Sequence, residues 1–209
     1  VPLTVAVYVQ SHAGRAALVE QLRLTLEASD VGTDYKVLLH PPGQPIADFF
    51  HDVLGTMGQS TADLVVRLED DVLVNRHFRH NTLTWPALHE PSFGMGWLMS
   101  PPLGIWDVIY GKRCRNPTAQ RQIPICVANV FWTRDMPWII EGSKRWFARH
   151  GGTAMDFALS TAVVDGGRMS YLHTPCIAEH NTRAPSTLGH HHKREHTSAG
   201  LYRRDWKRP

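Results

Sequence analysis

Three consecutive carboxylates, Glu69-Asp70-Asp71, follow the apolar run Leu64-Val-Val-Arg-Leu68. At the end of a buried strand their mutual repulsion is costly unless a cation sits among them. A divalent metal is the obvious candidate. Oxygen-rich sites suit Mg2+ or Mn2+, which keep several waters and bind through one or two carboxylates plus substrate phosphates. Two more groups add to the pattern. His180 closes Pro175-Cys-Ile-Ala-Glu-His180 and, as a neutral imidazole, suits Mn2+-class ions. Asp156 stands at the start of a predicted helix, where a carboxylate also complements the helix dipole.

The elements that must carry these groups are legible in the first third of the chain. Leu3 to Val9 is rich in β-branched and aromatic residues and ends in the turn and cap chemistry of Gln10-Ser11-His12-Ala13-Gly14-Arg15. Leu18, Leu22 and Leu26 then recur at four-residue spacing, with Glu20, Arg23 and Glu27 facing outward, which predicts an amphipathic helix ending near Ser29. A strand is expected over Tyr35 to Leu39, a helix over Ile46 to Met57, and a buried parallel strand over Leu64 to Leu68. This alternation predicts an α/β fold with a parallel sheet, whose ligands sit at the carboxyl ends of the strands. Farther on, a strand is expected over 125–132, a helix over 153–164 and a short strand at Tyr171-Leu172.

At 209 residues with 43% hydrophobic and 20% charged residues, the composition is that of a globular protein and excludes collagen-like or wholly disordered classes. No apolar run approaches the ~20 residues of a membrane-spanning helix. The Val1 to Val9 stretch has no basic leader and no small-residue cleavage pattern, so it is read as a first strand. Three scattered cysteines, Cys114, Cys126 and Cys176, make no disulfide framework, which fits a reducing cytoplasm. The net charge of +3 is unevenly spread. From His190 onward six Lys/Arg stand against Glu195 and Asp205, whereas the rest of the chain holds 16 basic and 17 acidic residues. Such a basic tail has a polyanion or a phosphate as its natural partner. The simplest organisation is one domain over 1–189 with a basic tail or lid over 190–209.

Taken in order, these residues resemble the nucleotide-sugar glycosyltransferases of the GT-A fold. The strand ending in Gln10-Ser11-His12, with Arg15 and a Leu-rich helix, is similar to their nucleotide-binding start. Leu68-Glu69-Asp70-Asp71-Val72 is similar to their DxD metal motif, although it reads Glu-Asp-Asp. Met155-Asp156 resembles the segment that supplies their catalytic base, and His180 falls where many of them place a further metal contact. The resemblance implies a Rossmann-like fold with a mixed, mostly parallel sheet flanked by helices. It also implies a hexosyltransferase-like enzyme of inverting type, with Mn2+ or Mg2+ as cofactor and a nucleoside-diphosphate sugar, a UDP-sugar foremost, as donor. Asp71 and His180 would hold the metal. Glu69 and Asp70 would hold waters or the ribose, and Asp156 would be the general base. Arg183, Ser186, Thr187, Lys193 and Arg194 would fold over the pyrophosphate.

The acceptor is open among glycan, protein, lipid and nucleic-acid hydroxyls. The basic tail points toward an anionic one, such as the hydroxymethylated DNA bases that some viral glycosyltransferases modify. Trp85, Phe93, Trp97, Trp106, Phe131 and Trp132 offer faces for an acceptor, and the same residues serve equally as core. Two other classes stay in view. His173-x-x-Cys176-x-x-x-His180, beside His190-His191-His192 and the basic tail, suits a zinc-stabilised nucleic-acid-binding module, though no Cys-x-x-Cys accompanies it. A hydrolase could use the same carboxylates without an acceptor. Gly104 to Lys112 lacks P-loop spacing, and neither a Gly-x-Ser-x-Gly elbow nor a Gly-x-Gly-x-x-Gly loop after the first strand is present.

Overall fold

The computed structural model describes residues 2–99, 113–114, 127–173, 175–181 and 202–209. Strand β1 (Val5–His12) passes through a 3-10 turn into α1 (Ala16–Glu27), followed by β2 (Tyr35–His40), α2 (Ile46–Gly58) and β3 (Leu64–Glu69). Both β2 and β3 pair with β1 in parallel. Alternate strand residues face opposite layers. Val7, Val9, Val66 and Leu68 join Leu22 and Leu26 of α1, whereas Tyr8 and Val65 join Phe50, Val53 and Leu54 of α2. Apolar residues on both faces are what a sheet covered on each side requires. Because α1 and α2 cover opposite faces, the chain reverses its path between β1 and β3 and leaves a crevice at their carboxyl ends.

The second half supplies β4 (Val72–Val74), α3 (Phe78–Leu83), β5 (Phe93–Trp97), β6 (Arg113–Cys114), β7 (Ala128–Trp132), α4 (Met136–His150), α5 (Met155–Asp165), β8 (Met169–Leu172) and β9 (Ala178–His180). Among the described residues the central sheet runs β2-β1-β3-β7-β5-β8-β6, and β4 and β9 form a separate antiparallel ribbon. β7 is antiparallel to β3 and β5, β5 and β8 are parallel, and β6 is antiparallel to β8. The result is an α/β architecture with a mixed, mostly parallel sheet flanked by helices. No helix among the described residues is long and apolar enough to cross a membrane.

The predicted elements recur with shifted ends, but the short β4, α3 and β6 have no counterpart in the sequence expectations, and neither do β5 and α4. For β5 and α4 the glycines explain why. A Cβ at Gly96 would stand 2.4 Å from the Trp85 ring and 2.5 Å from Val130, so this strand needs a residue type that ordinarily weakens a strand signal. On α4 the buried face is Met136, Ile139, Gly142, Ser143 and Trp146. A Cβ at Gly142 would stand 2.6 Å from Ala162 Cβ, which makes the apolar stripe break where α5 comes closest. Trp85, Phe93, Trp97, Phe131 and Trp132 are buried in the core rather than presented to an acceptor. Trp106 lies outside the described residues.

Part of the basic tail is docked. Tyr202 bridges to Cys176 in parallel, and Asn75 Nδ2 donates to the carbonyls of Arg203 and Trp206. Asn81 Nδ2 donates to the Trp206 carbonyl at 2.9 Å, and Arg208 N donates to Asn81 Oδ1 at 2.8 Å. Residues 202–209 thus form a strap held against the β4–α3 junction. The lid expected from residues 183–194 lies outside the described residues.

Candidate functional site

The crevice gathers residues from three separate segments. β1 ends in Gln10, Ser11 and His12, and the turn after it brings Arg15 back over the strand end. β3 ends in Glu69, and the turn to β4 carries Asp70 and Asp71. β9 then lies antiparallel to β4 with His180 opposite Val72, while Asn181 N donates to the Asp71 carbonyl at 2.6 Å. His180 therefore arrives from the small ribbon and not from the edge of the central sheet. The ribbon register is what sets it beside Asp71.

Arg15 is the hub of the acidic turn. Its Nη1 lies 3.1 Å from Asp70 Oδ1, and its Nη2 lies 2.9 Å from Asp71 Oδ2. The Ser11 hydroxyl donates to Asp70 Oδ2. His180 Nε2 stands 3.3 Å from Asp71 Oδ2. Both aspartates are almost fully buried. Burial pushes Asp70 up to about 6, against the Ser11 hydrogen bond and the Arg15 charge. Burial acts on Asp71 in the same direction, but the contact with His180 and the Arg15 guanidinium outweigh it and hold Asp71 at about 2. Burial alone would lower His180, and its contact with Asp71 raises it instead. Asp70, expected to hold waters or a ribose together with Glu69, is engaged by Ser11 and Arg15 within the protein.

Arg67 is the site residue that sequence reasoning missed. Its side chain is fully buried, donates Nε to Gln10 Oε1 at 2.8 Å and Nη2 to Glu69 Oε1 at 2.9 Å, and lies over the Phe50 ring. The signal was a cation inside an otherwise apolar strand. A buried guanidinium must find acceptors on neighbouring strands. Arg67 thereby fixes the direction of both Gln10 and Glu69.

Beside these residues lies a cleft of about 620 Å³ lined by His12, Gly14, His40, Pro42, Glu69 and Met155. Its size falls in the usual range for small-molecule sites. A smaller pocket that shares His12, His40, Glu69 and Met155 with it is lined also by Gln10, Ser11, Arg15 and Asp70. Gln10 Nε2 meets Met155 Sδ at 4.0 Å, so the first turn of α5 closes one side. The neighbouring Asp156 is half-buried. Burial raises it above the usual carboxylate range, and the Glu69 charge adds to this. Burial, Arg15 and His40 together keep His12 below the ordinary imidazole value. Of the expected site residues, Gln10, Ser11, His12, Arg15, Glu69, Asp70, Asp71 and His180 are brought together, with Asp156 at the margin. Arg183, Ser186 and Lys193 lie outside the described residues, as do Thr187 and Arg194.

Among the described residues no three His, Cys, Asp or Glu side chains are gathered as a metal cage. Asp71 Oδ1 and Asp70 Oδ1 are nevertheless buried without a hydrogen-bond partner. Asp71 therefore keeps one buried, unpartnered oxygen while its other oxygen, Oδ2, stands 3.3 Å from His180 Nε2, and such a carboxylate fits an ion that takes few protein ligands and completes its shell with water and phosphate. The zinc pattern is not gathered in this way. His173 Nδ1 and Nε2 face the carbonyls of Pro175 and Asn81 at 2.7 and 3.3 Å, and His180 faces Asp71. No protein-family model and no curated protein matches the chain.

Proposed function

We propose that the chain is a glycosyltransferase of GT-A type that moves a sugar from a nucleoside-diphosphate sugar to an acceptor hydroxyl. The observation that carries this reading is the buried Asp71 carboxylate at the sheet's crossover crevice, paired with His180 and retaining one unpartnered oxygen. A mixed α/β sheet with the acidic turn at the carboxyl end of β3 supports it. Asp71 and His180 would hold Mn2+ or Mg2+, which neutralises charge on a departing diphosphate.

The chain's own residues do the remaining work. Arg15 carries positive charge to the small pocket beside the cleft, where a phosphate gains a charge-assisted hydrogen bond. Arg67 keeps Glu69 and Gln10 fixed, so the cleft wall is organised before a ligand arrives. Asp156, raised by burial, accepts the proton of the acceptor hydroxyl as its oxygen attacks the anomeric carbon. The bond from that carbon to the diphosphate oxygen breaks, and the nucleoside diphosphate leaves with the electron pair.

A thermal-shift screen of nucleoside diphosphates and their sugar conjugates, with and without Mn2+, tests this. UDP and UDP-sugars come first. A ligand of the native state at ~100 times its Kd adds about 2.7 kcal/mol of stability. The expected result is a rise in Tm that needs the ion and is lost in Asp71→Asn. Asp156→Asn should keep that rise and lose sugar transfer by about 100-fold or more. The absence of any response to nucleoside diphosphates would end the reading, and sugar released without an acceptor would make the enzyme a hydrolase.

A further inference from the structure

Two basic segments far apart in sequence meet on the surface. Arg76, His77, Arg79 and His80 surround the start of α3, and Arg203, Arg204, Lys207 and Arg208 belong to the docked strap. Backbone contacts join them: Arg76 N donates to the Arg204 carbonyl at 2.9 Å, and His80 Nε2 contacts the Arg208 carbonyl at 2.8 Å. The strap is anchored from below by Asn75 and Asn81 and by Trp206, which packs edge-on against His173. Arg76, Arg203, Arg204 and Lys207 are exposed.

The six Arg and Lys side chains outnumber the acids in contact with their segments. Asp205 pairs with Arg76 at 3.0 Å, Asp34 pairs with Arg79 at 2.6 Å, and Asp30 spends both oxygens on the backbone N–H groups of Arg79 and His80. Among the described residues the six cations exceed these three acids, so the surface keeps a net positive charge. Five of its six cations are arginines, whose planar fork matches phosphate oxygens. A membrane surface would call for apolar anchors beside the charge. The exposed large hydrophobics among the described residues are Leu24, Val37 and Leu39, and none belongs to these two segments.

We propose that Arg76, Arg79, Arg203, Arg204, Lys207 and Arg208 form one surface that binds the phosphate backbone of a nucleic acid. The proposal deepens the transferase reading by naming the acceptor class. β4 leads straight from Asp71 toward Arg76, and at ~3.3 Å per residue the surface begins within roughly 16 Å of the acidic turn. That is about five base-pair steps of a duplex. A nucleic acid held there brings its own bases close to the crevice, and a base in a duplex would have to leave the stack to react.

Fluorescence anisotropy of a fluorescein-labelled DNA duplex, titrated with the full chain over a salt series, tests the surface without donor or divalent ion. Affinity should fall linearly with salt on logarithmic axes, and Arg204→Ala or Lys207→Ala should each lower the slope by about one. Arg76→Glu and Arg204→Glu should each weaken binding by about tenfold at ~0.1 M salt while melting like the wild type. Loss in Arg204→Glu alone would mean that the strap acts without α3 and would overturn the composite surface. Equal duplex binding by all four variants would overturn it, as would binding to phosphatidylserine vesicles with none to the duplex. Because no nucleotide sugar is present, failure here leaves the thermal-shift outcome untouched, and the reverse also holds.

Discussion

Arg15 decides the electrostatics of the acidic turn. Among the described residues it is the Lys or Arg that contacts both Asp70 and Asp71, and its Nε is buried without a hydrogen-bond partner, so it is not saturated by the contacts it makes. Removing it leaves two buried carboxylates facing each other, an arrangement that costs roughly 3–5 kcal/mol when a buried pair loses its partner. Arg15→Met should therefore lower Tm by roughly 10 °C in the absence of metal. Mn2+ should restore part of the loss, because the ion can take over the neutralising role. A variant that melts with the wild type, with or without Mn2+, would show that the turn does not depend on this guanidinium. The acids and Arg15 were each visible as candidates from their types and positions at strand ends. That Arg15 occupies the acids itself was not, since nothing local says how a side chain at position 15 will fold back over position 70.

Helices α4 and α5 show the same boundary between local and long-range information at the scale of elements. α5 was legible because it is rich in apolar residues and Asp156 marks its first turn. α4 was not, because its buried face passes through Gly142 and Ser143 and so breaks the apolar period. Gly142 is needed where α5 approaches, since a Cβ there would stand 2.6 Å from Ala162 Cβ. Gly142→Ala should destabilise the protein by about 1–3 kcal/mol despite its higher helix propensity. Adding Ala162→Gly should return part of that loss in urea unfolding. Additive costs in the double variant would show that the two positions do not share one contact.

Across the whole molecule, His173 marks where the strap meets the core. Its ring lies between Trp85 and Trp206, and burial pushes it down to about 4, against the pull of the Pro175 and Asn81 carbonyls. Above about pH 6.5 neither the native nor the unfolded chain protonates this group, and nothing is lost. Between about 6.5 and 4 the unfolded chain binds a proton that the native one refuses, so stability falls with pH by roughly 3 kcal/mol in total. Urea unfolding of wild type and His173→Gln on either side of about pH 6.5 checks this, and the variant should lack that part of the acid loss. Identical pH profiles would remove His173 from the account.

The α/β class, the opening strand and helix alternation and the station of three acids at a strand end were all determined by sequence alone. Each is written in consecutive residues through period and capping, which act over a few positions. Tertiary structure decided the rest: the antiparallel insertion of β7 between β3 and β5, the small ribbon that carries His180 to Asp71, and the buried Arg67 that ties Gln10 to Glu69. It also converted part of a charged tail into a strap beside α3. These depend on groups brought together through space over scores of residues. Packing volume and the need to satisfy buried charge select such partners, and neither leaves a repeating pattern along the chain.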